Sequence, residues 1–264
     1  MDARAWDRVA GAYLDHIVSP FAPGVRNPLP GWIDRLRGAR RMTVADFGCG
    51  VGELLPFLAA RFRRVVAVDF SPRMLREARR RCRARNVEFV RADFRRLAGW
   101  RGAFDAAVAV NSVLMPEAAG ARTALAGIAA SLLPGAAFFG CFPSMEAILH
   151  HAVLVREREP TLARARRVAE TARYDFVAGV YDDGDDRQKL YYELELRGML
   201  RSAGFRRVRL DKALYPWSAA GGDFERFPGE PRMWDWVVRA RVPRRRATGH
   251  HASGVSRGGS GRSR

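Results

Sequence analysis

Residues 44–53 read VADFGCGVGE, a short apolar run that ends in an acid and gives way to glycine at every second position. This pattern predicts a strand that turns tightly into a helix. Glycines at 48, 50 and 52 supply backbone freedom for the turn and let N–H groups approach a ligand closely. A dinucleotide site prefers G-x-G-x-x-G, with its third glycine one place later than here. Asp46 also stands just ahead of the loop. A carboxylate beside a helix N-terminus repels a diphosphate but suits a ligand carrying an ammonium or sulfonium charge.

Strand-like and helix-like patterns alternate from residue 42 onward. Apolar runs at 42–47, 64–69 (RVVAVD), 87–92 (VEFVRA), 104–111 (FDAAVAVN) and 135–142 (GAAFFGCF) read as strands. Segments 52–61, 71–85 and 117–133 read as helices, the second with Ser71 as cap and Pro72 at its first position. Strands separated by helices imply right-handed crossovers and a parallel sheet covered on both faces. Near-continuous apolar strands agree with that, because a half-exposed strand would alternate. Residues 145–173 read as a helical stretch, followed by YDFVAGVYDDGDD with its acidic turn. Then 193–203 reads as a helix stopped by Gly204, and 205–215 and 233–242 as strands pairing in an antiparallel hairpin.

The expected fold class is therefore α/β: a Rossmann-like, seven-stranded, mostly parallel sheet with a C-terminal antiparallel hairpin and an inserted helical and hairpin lid. The chain divides into an N-terminal helical cap (1–41), a cofactor-binding core (42–143), an insertion forming a substrate lid (144–190), a C-terminal completion of the sheet (191–242) and a basic tail (243–264) expected to be disordered.

Acids close three successive strands: Asp46, then Asp69, then Asp93. A carboxylate at the second strand end can accept both ribose hydroxyls, and one at the third can accept an adenine amine. Together they suggest a nucleoside with a cationic amino-acid tail. VADFGCGVGE, VVAVDFSPRMLREAR, VEFVRADF and FDAAVAVNSVL, in that order, resemble a class I S-adenosylmethionine-dependent methyltransferase of the small-molecule branch. The resemblance covers 42–143 closely and extends loosely to 242. DRVAGAYLD near the N-terminus resembles the family's opening helix. The resemblance implies S-adenosylmethionine as cofactor. Its methionine part would lie over Gly48, Cys49, Gly50 and Gly52, with Asp46 near the amino end. Asp69 would hold the ribose, Phe70 and Phe94 would border the adenine, and Asp93 would meet its amine. Asn111 and Ser112 would line the methionine side, and Tyr13 would close over the carboxylate.

Methyl transfer from a sulfonium asks the protein mainly for orientation and exclusion of water. A base is needed only for an acceptor that holds its proton tightly. Candidates for such a group are His150, His151, Tyr192 and Glu193, with Tyr191 beside them. Tyr181, Tyr191, Tyr192, Tyr215 and Trp217 could form an apolar substrate pocket or serve as core.

Net charge is +18, carried almost wholly by arginine, because lysine occurs only at 189 and 212. The tail from 243 to 264 holds six arginines and no acid, and setting it aside leaves the body near +12. Nucleic-acid binding is open, but no N-P-P-Y-type motif follows the fourth strand. A small-molecule substrate is the favoured expectation. An RNA methyltransferase, or a methyltransferase-fold protein that binds without transferring methyl, is the alternative. Three cysteines with wide spacing fit a reducing cytoplasm and make neither a disulfide framework nor a zinc knuckle. No metal is expected. The apolar stretch 123–143 is broken by Pro134-Gly135, so it reads as helix, turn and strand rather than a membrane span.

Overall fold

The computed structural model describes Asp7 and residues 19–158, 173–182, 184, 187–216 and 232–244. Tyr13, Trp217, residues 159–172 and the tail beyond 244 lie outside the described residues. The described helices are α1 (Leu29–Asp34), α2 (Leu55–Ala59), α3 (Pro72–Arg81), α4 (Ala118–Ser131), α5 (Met145–Arg158) and α6 (Glu193–Ser202). The strands are β1 (Thr43–Phe47), β2 (Arg64–Asp69), β3 (Val87–Arg91), β4 (Phe104–Val110), β5 (Leu132–Pro143), β6 (Tyr174–Asp175), β7 (Val180–Asp182), β8 (Arg187–Lys189), β9 (Arg206–Leu214) and β10 (Trp234–Arg241).

Seven strands form one sheet in the order β3-β2-β1-β4-β5-β10-β9. The first five are parallel, and β10 runs antiparallel to both β5 and β9. This is the Rossmann-like sheet with an antiparallel pair at its edge. All five β1 residues are buried, which explains why that strand is apolar without alternation. Its side chains still divide between two layers. Ala45 and Phe47 join Val66, Val68 and Ala107 in a core completed by α4 and α6. Val44 joins Val65, Ala67 and Val108 in a second core completed by α1, α2 and α3.

Three elements differ from the sequence reading, each for a local reason. Helix α2 is only 55–59, because Gly52 sits at φ +80 and cannot belong to a right-handed helix. Helix α3 ends at Arg81, because Cys82 turns extended and buries its side chain in the second core. Strand β5 begins at Leu132, directly after α4, and Pro134-Gly135 is a register irregularity inside the strand rather than a turn before it. The Ser71 cap is as read: its Oγ accepts the Met74 N–H at 3.0 Å.

The insertion leaves and rejoins the sheet at one neck. Tyr191 N–H donates to the Pro143 carbonyl at 2.8 Å, and Met145 N–H donates to the Tyr191 carbonyl at 3.1 Å. Strands β6, β7 and β8 form a separate three-stranded antiparallel sheet. The Lys189 N–H donates to the Leu114 carbonyl at 3.0 Å, tying that small sheet to the loop after β4. Lys189 is itself buried, its ammonium donating to Glu195 at 2.9 Å and to the Ala178 carbonyl at 2.6 Å. No helix among the described residues is long and apolar enough to cross a membrane.

Candidate functional site

Parallel strands bring β1, β2, β3 and β4 to the same edge with their carboxyl ends together, and the crevice opens there. It has a volume of about 440 Å³. Its floor and one wall carry Gly48, Gly50, Asp69, Phe70, Asp93 and Phe94. Asn111 and Ser112 follow β4 on the other wall. A smaller adjoining cavity holds Asp46, Cys49 and Glu53, and shares Gly48, Gly50 and Asn111 with the crevice. Three strand-end acids thus meet around one bare loop.

The loop spends its own N–H groups internally. Gly48 and Cys49 both donate to the Val68 carbonyl, at 2.7 and 3.0 Å, and Gly52 donates to the Cys49 carbonyl at 2.9 Å. Gly50 N–H donates to Asp69 Oδ2 at 2.9 Å. The expectation of loop N–H groups turned toward a ligand therefore does not hold at these positions, because β2 and the loop's own Cys49 carbonyl consume them. A diphosphate would meet two carboxylates here and none of these four donors.

The glycines have separate roles. A methyl group on Gly50 would meet nothing within 4 Å among the described residues, so its bareness opens space in the crevice. At Gly52 a methyl group would lie 3.0 Å from the Cα and Cβ of Ala78, so this glycine lets the loop pack on α3. Gly52 does not line the crevice. At Gly48 it would collide with Ser112 Cβ at 2.3 Å. Ser112 Oγ in turn donates to the Phe47 carbonyl at 2.7 Å, binding the end of β4 to the end of β1.

Buried acids give the site its electrostatics. Asp46 is 3% exposed, and no hydrogen bond reaches its carboxylate among the described residues. Burial, with the Asp69 carboxylate adding to it, pushes Asp46 up to about 7. Asp69 is also raised by burial, against the N–H groups of Ser71 and Gly50. Asp93 is partly desolvated, yet the Arg95 guanidinium holds it below the usual carboxylate range through bonds of 2.6–2.9 Å. Asp7, from the N-terminal segment, accepts from Ser71 Oγ at 2.5 Å and from the Arg73 N–H at 3.1 Å, at the start of α3.

Asn111 is the strained member of the wall, a non-glycine residue at φ +44. Its Nδ2 donates to Asp235 Oδ2 at 3.1 Å, and its buried Oδ1 has no hydrogen-bond partner among the described residues. Tyr215 donates to the same Asp235 oxygen at 2.6 Å. Burial raises Asp235 against these donors. Sequence reasoning missed Asp235, although an acid between tryptophans in the otherwise apolar WDWVV run was a usable signal.

The crevice gathers Asp69, Phe70, Asp93, Phe94, Asn111, Ser112, Gly48 and Gly50 from the sequence-derived set, with Asp46 and Cys49 in the adjoining cavity. Phe94 serves two purposes, since its ring also packs on Phe47 at 6.1 Å. The candidates for a base are elsewhere: His150, His151, Tyr192 and Glu193 do not line the crevice. His150 lies beside the Trp234 ring, Tyr192 donates to the Phe176 carbonyl, and Glu193 binds Arg197. The aromatic pocket is not assembled either. Tyr191 is fully buried with its hydroxyl on the Val113 carbonyl, Tyr215 is held by Asp235, and Tyr181 packs on Tyr174. Met115, Glu117, Arg187 and Gln188 also line the crevice. These come from the loop after β4 and from β8, which no local pattern marks.

Residues 44–135 match the family model described as a methyltransferase domain. No curated protein sequence matches the chain. Among solved structures, the chain is similar to an S-adenosylmethionine-dependent methyltransferase of Methanosarcina mazei, at 18% identity and TM-score 0.59, over 81% of this chain and 98% of that one. It is also similar to a Thermotoga maritima protein described as a "possible histamine N-methyltransferase", at 15% identity and TM-score 0.56, over 91% and 99% of the two chains. A third, from work on "Conversion of a Disulfide Bond into a Thioacetal Group during Echinomycin Biosynthesis", is 19% identical with TM-score 0.57, over 92% and 93%. At these identities the likeness is one of fold.

S-adenosylmethionine is the cofactor that this domain and fold imply. The residues present fit it. Among the described residues Asn111 Oδ1 is a buried acceptor without a donor, and the carboxylate of the buried Asp46, which receives no hydrogen bond from them, lines the adjoining cavity that Asn111 shares. An ammonium group is the complement of such a pair.

Proposed function

We propose, from a methyltransferase domain on the class I Rossmann-like fold, that this protein transfers a methyl group from S-adenosylmethionine to an O, N or C atom of a small molecule. The observation that carries the reading is the pairing of a donor-poor glycine loop with buried carboxylates. Gly50 gives its N–H to Asp69, and Asp46 has no partner among the described residues. That arrangement disfavours a diphosphate and favours a ligand with a positive amino-acid end.

The cofactor would supply an activated methyl group on a sulfonium. The chain's own task is then to bind, orient and exclude water. Asp46 and Asn111 would hold the amino-acid end, Asp69 the ribose, and Phe70 and Phe94 would border the adenine, with Asp93 at its edge. Met115 and Leu114 would dry the acceptor side, and Glu117 and Gln188 would orient a polar acceptor. Positioning is the main catalytic effect in this reading, and Glu117 is the carboxylate available for an acceptor that must lose a proton.

A small acceptor suits a crevice of this size, lined in part by Gly184 and by Arg187 and Gln188 of β8. Two of the similar folds come from proteins described in small-molecule terms. The three cysteines are free and buried, in keeping with a reducing cytoplasm. Calorimetry with S-adenosylmethionine, S-adenosylhomocysteine and NAD tests the cofactor. Binding of the first two in the micromolar range is expected. Heat with NAD alone would overturn the reading. A panel of amines, phenols and carboxylic acids, read by release of S-adenosylhomocysteine, then tests the acceptor class.

A further inference from the structure

The sheet is electrically two-ended. Its carboxyl edge carries Asp46, Asp69 and Asp93, while the opposite edge is built from arginine. Because β1 to β5 are parallel and β10 runs against them, the start of β5, the end of β10 and the start of β9 meet at that opposite edge. Two adjoining cavities lie there. One, of about 520 Å³, is lined by Arg201, Ser202, Arg206, Arg207 and Val208. The other, of about 530 Å³, shares Arg206 and Arg207 and adds Arg241 and Arg244 with Gly135, Val242 and Pro243. Among the described residues no acid lines either cavity.

Several arginines elsewhere in the chain pair with acids. Arg61 pairs with Asp34, Arg64 with Glu88, Arg95 with Asp93 and Arg197 with Glu193. Among the described residues none of the five arginines of the opposite edge has such a partner. Two are braced by backbone instead. Arg206 Nη1 donates to the carbonyls of Arg201 and Phe205, and Arg241 Nη1 donates to that of Gly135. Arg207 is held at φ +53, a conformation that bulky residues adopt only where the surrounding structure over-determines it. Here the constraint is the register irregularity that pairs Arg241 with Arg206. The edge therefore concentrates unpaired positive charge in a fixed, solvent-facing groove, and the sequence continues from Arg244 into a tail with five more arginines and no acid.

We infer that this arginine edge is a docking surface for the phosphodiester backbone of a polynucleotide, remote from the methyl-transfer crevice. A repeating line of phosphates is the anion that can occupy both cavities together. The cavity walls offer guanidinium groups and backbone, with Val208 and Val242 as their apolar side chains beside Pro243 and no aromatic ring. Base stacking and membrane insertion are therefore not supported, and the contact is to backbone charge without sequence reading. This surface stands independently of the reaction proposed for the crevice.

The test is fluorescence anisotropy of a labelled single-stranded oligonucleotide, RNA in one arm and DNA in another, titrated with the full chain over a salt series. Five guanidinium contacts correspond to a log–log salt slope of roughly −3 to −4 for a single strand. The variant Arg201→Gln/Arg207→Asn/Arg244→Gln should lose roughly 2 from that slope. Asn at 207 tolerates the left-handed backbone, and calorimetric affinity for S-adenosylhomocysteine, unchanged, certifies the fold. A second full-length variant, with Arg245, Arg246, Arg257, Arg262 and Arg264 replaced by Gln, should keep most of the slope. The inference is overturned if the first variant keeps the wild-type slope, if the second abolishes it, or if polyglutamate competes as well as unlabelled oligonucleotide. Loss of cofactor binding in the wild type with an intact slope would count against the methyltransferase reading alone.

Discussion

Asn111 Nδ2 donates to Asp235 Oδ2 at 3.1 Å, joining the wall of the cofactor crevice to the penultimate strand of the sheet order, 124 residues away. The same oxygen receives the Tyr215 hydroxyl at 2.6 Å. Asp235 thereby fixes which end of the Asn111 amide is left for a ligand. Asp235→Ala should leave the Asn111 amide, the Tyr215 hydroxyl and the Cys141 thiol without this acceptor, and a hydrogen bond to a charged group is worth about 1.5–3 kcal/mol. A lower Tm together with weaker S-adenosylhomocysteine binding is expected. Asp235→Asn, which can keep an acceptor oxygen in place, should restore most of both. Equal behaviour of the two variants would remove this role.

Asp46 is held at about 7 by burial and by Asp69, well above its unfolded value of 3.8. Between those values the folded state keeps a proton that the unfolded state releases. Stability of the ligand-free protein should therefore fall as pH rises from about 4 to about 7, and level off above that. A ligand bearing a positive charge favours ionised Asp46. Affinity for S-adenosylhomocysteine should rise between about pH 6 and pH 8, with proton release visible when calorimetry is repeated in buffers of different ionisation enthalpy. Asp46→Asn should flatten both dependences.

Gly50→Ala and Gly52→Ala separate binding from packing. Both positions have positive φ, and that strain costs about 1–2 kcal/mol for an L-residue. At Gly50 the added methyl meets no atom of the described residues, so the chief effect should be loss of cofactor affinity with a small change in Tm. At Gly52 it meets Ala78 backbone, so Tm should drop further. Differential scanning calorimetry beside binding measurements distinguishes them, and the reverse pattern would reassign the two glycines.

Asp69→Ala removes the acceptor of the Gly50 N–H and the group expected to hold the ribose. A loss of about 1.5–3 kcal/mol in S-adenosylmethionine affinity is expected. Unchanged affinity would take Asp69 out of the binding site.

Lys189→Met should loosen the β6–β8 sheet. The buried ammonium joins Glu195 and the Ala178 carbonyl, and the residue's own N–H holds Leu114. Glu195 keeps some solvent, so the loss should fall below the roughly 3–5 kcal/mol of a fully buried broken pair. Limited proteolysis should cut faster within 173–190 while the β1–β5 core stays resistant. Unaltered cleavage would show that the small sheet does not depend on this lysine.

The sequence by itself determined the sheet core and the acid-and-glycine half of the site. Those features are local: an apolar run buried on both faces reads as apolar throughout, and a strand end sits at a fixed offset from its glycine or acid. Ser71 capping α3, Asp69 closing β2 and the parallel run of the first five strands with helices between them all follow from such short-range rules. The tertiary structure alone decided what depends on distant pairing. It turned the loop N–H groups onto Val68 and Asp69, and set Asp235 behind Asn111. It brought Arg187 and Gln188 to the crevice while keeping His150 and Glu193 away from it, and it gathered arginines from α6, β9, β10 and the segment after β10 at the far edge. The reason is that hydrogen bonds and charges act over a few ångströms in space, and nothing in local sequence records which remote side chain the fold will place within that reach.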